Sequence, residues 1–205
     1  GDIIWTHREL LYAPQHGSGG SPALVDDALV ISCDGRDIQF VVCLERRYGS
    51  IRWKVDRETF DADKKFAFHT PLAIEVEGRQ QVVSTGAHSV SGFDLQTGEA
   101  VWTVRHEGYS VVPRPVYAHG LVFICTSFQN STVLAIRPDG RGDGTESHVV
   151  WQSRDSVSHS PSPIVVGENL FMVSDRGVAT CRDARTGELH WKKRVGGSYS
   201  ASPVF

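Results

Sequence analysis

The feature that most constrains the fold of this 205-residue chain is the spacing of its tryptophans. Successive tryptophans lie 48, 49, 49 and 40 residues apart, at Trp5, Trp53, Trp102, Trp151 and Trp191. Prolines that follow a small or polar residue recur in step with them, at Pro22, Pro71, Pro115, Pro163 and Pro203. Two markers that keep one period of tens of residues indicate a chain built from repeated units.

Each unit contains four strand-like runs separated by turn residues. In the second unit the runs are Thr70–Ile74, Gln81–Thr85, Ser89–Phe93 and a fourth that carries Trp102. The proline near the start of the first run suits a strand edge, because proline has no backbone N–H for a sheet ladder. Four short strands per unit, with a large aromatic residue at a fixed place in the last one, are typical of a β-propeller blade.

The turn before the fourth strand carries the most informative motif. Asp94-Leu95-Gln96-Thr97-Gly98 precedes Trp102, and Asp183-Ala184-Arg185-Thr186-Gly187 precedes Trp191. An aspartate at the start of a turn accepts backbone N–H groups, and glycine at its end supplies a positive φ. We therefore assign Asp94, Gly98, Asp183, Gly187 and the five tryptophans to the structural repeat. The third unit departs from the motif, because Arg137-Pro138-Asp139-Gly140 runs into an inserted loop.

The motif Asp-x-x-Thr-Gly-x-x-x-Trp, preceded by Ser-Pro and two strands, resembles the PQQ-like (quinoprotein-like) repeat. The resemblance covers essentially the whole chain. That repeat occurs in quinoprotein alcohol dehydrogenases and in non-enzymatic relatives such as the bacterial outer-membrane assembly lipoprotein, to which this chain is closest in style. The resemblance implies a seven- or eight-bladed propeller and a periplasmic or exported location.

We predict an all-β fold: one partial β-propeller of four-stranded antiparallel blades, present as an open arc of a larger ring. The predicted blades cover residues 20–55, 69–104, 113–153 and 161–195. Residues 1–7 are expected to form the outer strand of a preceding blade, and 200–205 the first strand of a following one. Either further blades complete the ring, or two copies of the chain complete it as a homodimer.

Composition excludes several classes of partner. The net charge is -3 with both signs interspersed, so no basic stripe is available for nucleic acid. No apolar stretch approaches the roughly 18 residues of a membrane span. The four cysteines, Cys33, Cys43, Cys125 and Cys181, lack Cys-x-x-Cys spacing. Their positions inside strand-like runs favour small buried side chains over a disulfide framework.

Two classes of function remain. The resemblance implies that the family's enzymes hold pyrroloquinoline quinone over a calcium ion, many with two adjacent cysteines. No adjacent cysteine pair occurs here, and no calcium-binding Glu, Asn and Asp set can be placed on matching loops. The sequence therefore favours a non-catalytic scaffold without a cofactor, which binds a protein or cell-envelope partner through its blade-connecting loops. The alternative is part of a quinone-dependent dehydrogenase whose cofactor site lies partly outside this chain.

Two groups of residues are candidate sites. The loops that lead from one blade to the next present His69, Arg114, His159 and Tyr199, which we predict to lie at the channel mouth, where an anion or peptide would bind. These four residues also fit the simpler description of solvated loop side chains. Asp139, Asp143 and Glu146 have the alternating spacing of a calcium loop, but three glycines and Arg141 among them favour a flexible hairpin insertion over a metal site.

Overall fold

A computed structural model describes residues 1–61 and 63–205, which form four sheets in chain order. The first sheet contains β1 (Ala23–Val25), β2 (Ala28–Asp34), β3 (Gln39–Glu45) and β4 (Ile51–Asp56). The second contains β5 (Leu72–Val76), β6 (Arg79–Thr85), β7 (Ser89–Asp94) and β8 (Ala100–Arg105). The third contains β9 (Val116–Ala118), β10 (Leu121–Cys125), β11 (Val133–Ile136) and β13 (Val149–Ser153). The short strand β12 (Gly142–Asp143), which lies between β11 and β13 in the chain, joins the second sheet. The fourth contains β14 (Ile164–Val166), β15 (Asn169–Val173), β16 (Val178–Asp183) and β17 (Leu189–Arg194).

Within each sheet the four main strands pair antiparallel in sequence order, which is the meander of a propeller blade. The predicted all-β partial propeller is therefore confirmed. The described residues contain no helix that is long and apolar enough to cross a membrane.

The hydrophobic core lies between blades. Successive side chains of a strand point to opposite faces, so Val82 of β6 packs toward the first blade while Val83 packs toward the third. Phe93 and Trp53 lie in the first interface, with ring centroids 6.4 Å apart. Each blade thus needs both neighbours to bury its two faces.

Trp53 joins the first blade to the motif turn of the second. Its indole N–H donates to the Leu95 carbonyl at 2.9 Å. Its ring covers Gly98, where an added Cβ would lie only 2.6 Å from the indole, and Gly98 has a φ of 76°. The Asp94 carboxylate stabilises the turn by accepting the backbone N–H groups of Gln96 and Thr97, both at 2.9 Å. Trp53, Gly98 and the turn therefore form one contact, which we call the tryptophan contact.

The same contact recurs at two other places. Trp151 donates to the Ala184 carbonyl at 3.0 Å and covers Gly187, whose added Cβ would lie 2.6 Å from the ring. Trp5 donates to the Arg46 carbonyl at 2.8 Å and covers Gly49 of the first blade. Trp5 thus occupies the place that the tryptophan of a preceding blade would take. Residues 1–7 and 200–205 form no strand, because no strand lies beside either segment in the described chain.

Trp102 makes a different contact because the third unit lacks the motif turn. Its indole N–H donates to the Gln81 side-chain oxygen at 2.8 Å, and the Gln81 amide donates in turn to the Pro138 carbonyl at 3.4 Å. The inserted loop adds β12 to the second sheet, parallel to β8. The insertion predicted as a flexible hairpin therefore supplies a fifth strand to the neighbouring blade.

Hydroxyl groups join the blades near the channel. The N–H of Ser21 donates to the Thr70 hydroxyl at 3.0 Å, and the N–H of Ser162 donates to the Ser202 hydroxyl at 2.9 Å. Both pairs link the residues that precede the repeat prolines. Hydroxyl groups of the residues before three of the repeat prolines, Thr70, Ser162 and Ser202, therefore accept a backbone N–H from the neighbouring blade.

The tryptophan contact predicts different effects of alanine at two turn glycines. Gly98 and Gly78 have φ values of 76° and 74°, but only Gly98 is covered by a tryptophan; a Cβ at Gly78 meets no atom within 4 Å. Gly98→Ala should therefore destabilise the protein by about 1–3 kcal/mol more than Gly78→Ala, the cost of overpacking. Denaturant unfolding of both variants measures the difference, and equal midpoints would contradict the contact.

Candidate functional site

The connections between blades lie on one side of the propeller. The four strands of a blade alternate in direction, so the outer strand ends on the side where the innermost strand begins. Each connection from one blade to the next therefore starts and finishes on that side. We call this side the loop face; it comprises residues 13–22, 57–61, 63–71, 86–88, 106–115, 126–132 and 154–163. Loops carried by a rigid sheet are the usual place for binding residues.

A continuous row of rings crosses the loop face. We call it the aromatic strip: His16, Phe66, Phe68, His88, Tyr109, Phe128 and His159. Neighbouring ring centroids lie 5.5 to 6.4 Å apart. These separations lie within the range of favourable aromatic pairs. The strip runs from the segment before β1 to the connection between the third and fourth blades.

The strip is buried at its base and exposed along its top. Phe66 is 9% exposed, whereas Phe128 is 56% exposed and the adjacent Val112 is 38% exposed. His16, Phe68 and Val112 line a shallow depression of about 340 Å³. An exposed phenylalanine held by neighbouring rings offers apolar area to a partner at a low entropic cost.

Four of the eight non-glycine residues that have a positive φ among residues 1–61 and 63–205 lie in or beside the strip. His88, Ser110, Gln129 and Asn130 have φ values from 57° to 65°, a region that residues other than glycine seldom adopt. The strained loop is held in place by specific hydrogen bonds; the Asn130 amide, for example, donates to the Glu107 carboxylate at 3.0 Å. Strain maintained in this way clusters at functional sites.

The four residues predicted to lie at the channel mouth have different surroundings in the structure. His159 joins the aromatic strip, 6.1 Å from the Phe128 ring. Arg114 is exposed and lines an inner cavity of about 490 Å³ together with Ser21 and Thr70. Tyr199 is half-buried, and His69 is only 1% exposed. They do not form one cluster, and His69 is not a solvated loop residue.

His69 belongs instead to a buried polar cluster between the first two blades, made of Ser32, Asp34, Arg57, His69 and Ser84. The Arg57 Nε lies 2.7 Å from the Asp34 carboxylate, and both side chains are at most 5% exposed. Arg57 also donates to the hydroxyl and the carbonyl of Ser84.

The hydrogen bonds of His69 define its tautomer. Its Nε2 accepts the backbone N–H of Thr85 at 3.0 Å and lies 2.8 Å from the Ser84 hydroxyl. Nδ1 therefore carries the proton and faces the Asp34 carboxylate at 3.9 Å. Burial, assisted by the Arg57 charge, lowers the pKa of His69 well below its ordinary value. Burial raises the pKa of Asp34, and Arg57 opposes that rise.

Asp34, His69 and Ser84 have the residue types of a hydrolase triad, but the arrangement cannot support nucleophilic catalysis. The Ser84 side chain is fully buried, so no substrate carbonyl can reach it. The Nε2 atom that would accept the serine proton already accepts the Thr85 N–H. The cluster is a structural element of the blade interface.

Among the three candidate calcium ligands, Asp143 is engaged within its own loop and Asp139 lies 3.8 Å from His148. The Asp143 carboxylate accepts both the N–H and the hydroxyl of Thr145, at 3.0 and 2.6 Å. Across residues 1–61 and 63–205, no three His, Cys, Asp or Glu residues converge as metal ligands would. All four cysteines are free and buried, and burial raises the pKa of Cys125 to about 12.

The aromatic strip could hardly be predicted from the sequence. Phe66, Phe68, Tyr109 and Phe128 come from three separate connections, and no local periodicity relates them. The run Phe66-Ala67-Phe68 within a loop was the one available signal, because two phenylalanines in a connection require a partner surface.

Comparisons with known proteins agree with this architecture. A family profile described as outer membrane protein assembly factor BamB matches residues 1–143 and 129–205. The chain therefore belongs to this family of PQQ-like β-propellers. No curated protein matches the chain.

Solved structures show the same fold at low sequence identity. BamB from Moraxella catarrhalis has a TM-score of 0.65 and 17% identity; the match covers 90% of this chain and 54% of that one. Quinohemoprotein alcohol dehydrogenase ADHIIG from Pseudomonas putida HK5 has a TM-score of 0.62 and 14% identity, covering 85% and 34%. A europium-containing methanol dehydrogenase has a TM-score of 0.64 and 9% identity, covering 89% and 43%. The chain thus spans about half the length of the BamB structure.

Removal of the buried arginine should be costly. Arg57→Leu leaves Asp34 without its charge partner inside the interface, which should destabilise the protein by about 3–5 kcal/mol. Arg52→Leu is the matched control, because the ion pair between Arg52 and Asp27 is at the surface and is worth about 1 kcal/mol or less. Urea unfolding at neutral pH compares the two variants. Similar losses would show that Asp34 and Arg57 are solvated.

Proposed function

We propose that this chain forms part of a non-catalytic scaffold that binds a protein partner in the bacterial cell envelope through its loop face. The observation that carries the proposal is the aromatic strip, whose exposed Phe128 rests on rings that are already packed. Aromatic residues are enriched at protein interfaces, and anchors held in place lose little entropy on binding. The strained backbone beside the strip supports the same conclusion.

Family membership supports the location and the kind of partner. The family is described as an outer membrane protein assembly factor, and assembly implies contact with other proteins. A periplasmic or exported location fits that description. The homodimer expected from the sequence stays a prediction, which the molecular mass in solution tests.

The inner wall does not fit a quinone held over calcium. Calcium takes six to eight oxygen ligands, usually with carboxylates among them. The cavity at the inner wall is lined by Ser21, Thr70 and Arg114, together with apolar residues of β1 and β5, and none of its lining residues is acidic. This composition supports a scaffold without a cofactor.

A cofactor assay tests the absence of catalysis. The protein, supplied with excess pyrroloquinoline quinone and calcium, should not reduce an artificial dye with alcohols or aldose sugars, because no carboxylate set lines the cavity. Quinone retained after gel filtration would be measured by absorbance. Stoichiometric retention together with substrate-dependent dye reduction would overturn the scaffold proposal in favour of a dehydrogenase.

Site-specific crosslinking tests the loop face. A photoreactive amino acid at Phe128 should give a discrete crosslinked protein in envelope preparations, whereas the same group at Tyr48 should not. Tyr48 is a good control because it is 67% exposed and lies in the β3–β4 turn on the opposite side. Phe128→Ala should weaken binding of the captured partner about tenfold or more, as loss of an aromatic anchor does. Equal crosslinking from both positions would contradict a specific loop face.

A further inference from the structure

The buried polar cluster lies directly beneath the aromatic strip. His69 ends the segment Phe66–His69, which supplies two rings of the strip. Backbone hydrogen bonds hold this segment to its neighbours: the N–H of Phe68 donates to the Val111 carbonyl at 2.7 Å, and the N–H of Ser110 donates to the Phe66 carbonyl at 2.9 Å. The segment therefore links the cluster to the loop face.

The interface that contains the cluster differs from the next interface along the chain. Between the second and third blades, Val83, Trp102, Val122 and Ile124 form an apolar core. The first and second blades also share an apolar core, which includes Trp53 and Phe93, but at the end nearest the loop face their interface adds the charged pair of Asp34 and Arg57 with His69 beside it. Because charged residues are buried at this end of the interface, its stability depends on the protonation states of those residues.

We propose that the buried polar cluster is a pH-sensitive switch, which holds the Phe66–His69 segment in place while His69 is neutral and releases it when His69 becomes protonated. The release itself is a property of the isolated protein. Its consequence, a loop face that loses its partner at acidic pH, rests on the proposed function.

Hydrogen bonding accounts for the direction of the switch. In the folded protein Nε2 is an acceptor for the Thr85 N–H. A proton on Nε2 would place two donors 3.0 Å apart, and that contact would be lost. The Ser84 hydroxyl could still accept a hydrogen bond from the protonated ring, so the bond that is lost is mainly the one from the Thr85 N–H of β6.

The charges around His69 act in the same direction. Arg57, from the connection after β4, already neutralises Asp34 of β2. β6 faces His69 only with the Ser84 hydroxyl and the Thr85 backbone N–H, and β2 adds the Ser32 hydroxyl at 3.2 Å, so none of these three groups carries a charge. A protonated His69 would therefore be a second cation beside Arg57, with one carboxylate between them.

The folded and released states consequently differ in proton affinity. The pKa of His69 is well below 6.5 when the segment is in place, and it returns to about that value on release. A depressed pKa stabilises the closed state fully above pH 6.5, and this stabilisation is lost as the pH falls. Each pH unit below 6.5 should favour release about tenfold until the folded pKa is reached.

Hydrogen exchange from pH 7 to pH 5 tests the switch on the isolated chain. After correction for the intrinsic exchange rate, the protection of the Phe68 and Ser110 amides should fall about tenfold per pH unit below 6.5. His69→Gln should remove that fall, because glutamine retains an acceptor for Thr85 and cannot titrate. His159→Gln, which changes an exposed histidine of the strip, should leave the fall unchanged.

Nitrogen-15 NMR of the unsubstituted protein provides a second measurement in case His69→Gln does not fold. The His69 ring should show the neutral Nδ1–H tautomer and no titration in the folded state between pH 7 and pH 5. A normal titration of His69, with Phe68 and Ser110 still protected, would overturn the switch. Unaltered pH dependence in His69→Gln would also overturn it. Neither outcome bears on crosslinking at Phe128, so failure of the switch and failure of the proposed function are distinguishable.

Discussion

The contact between a tryptophan of one blade and the motif turn of the next is the interaction on which the rest of the structure depends. A single four-stranded sheet cannot bury a large aromatic side chain at its outer strand, so each indole needs the neighbouring blade. The turn meets that need with a free carbonyl and a glycine that leaves room for the ring, as Leu95 and Gly98 do for Trp53. Hydrogen bonding and packing therefore specify the same relative position of two blades. Once the blades are fixed, their connecting loops meet on one face.

The fold could be predicted from the sequence because this contact repeats. Trp53 and Trp151 make equivalent contacts, so their residue types recur at a constant spacing that is visible without coordinates. Only part of the exception at Trp102 could be predicted from the sequence. The altered turn at Pro138 was evident in the sequence, but the replacement contact through Gln81, which lies 57 residues from it, was not.

The sites could not be predicted in the same way, because their contacts do not repeat. His69 stands in a loop shortly before a proline, where most histidines would be solvated. Its burial depends on Asp34, Arg57 and Ser84, which come from three other parts of the chain and occur once. The strip depends likewise on side chains such as Phe128 that only the assembled blades bring together. A repeat thus defines the scaffold, while the non-repeated residues distinguish this propeller from others of the same fold.

A double-mutant cycle between Trp53 and Gly98 tests the central claim most directly. It compares the free energy of unfolding of the unsubstituted protein, Trp53→Ala, Gly98→Ala and the double variant. If the indole is what excludes a Cβ at Gly98, alanine there should cost about 1–3 kcal/mol less once Trp53 has been removed, as expected for residues in direct contact. Strictly additive costs would contradict the account, because they would mean that the tryptophan and the turn act independently and that the blades are positioned by something else.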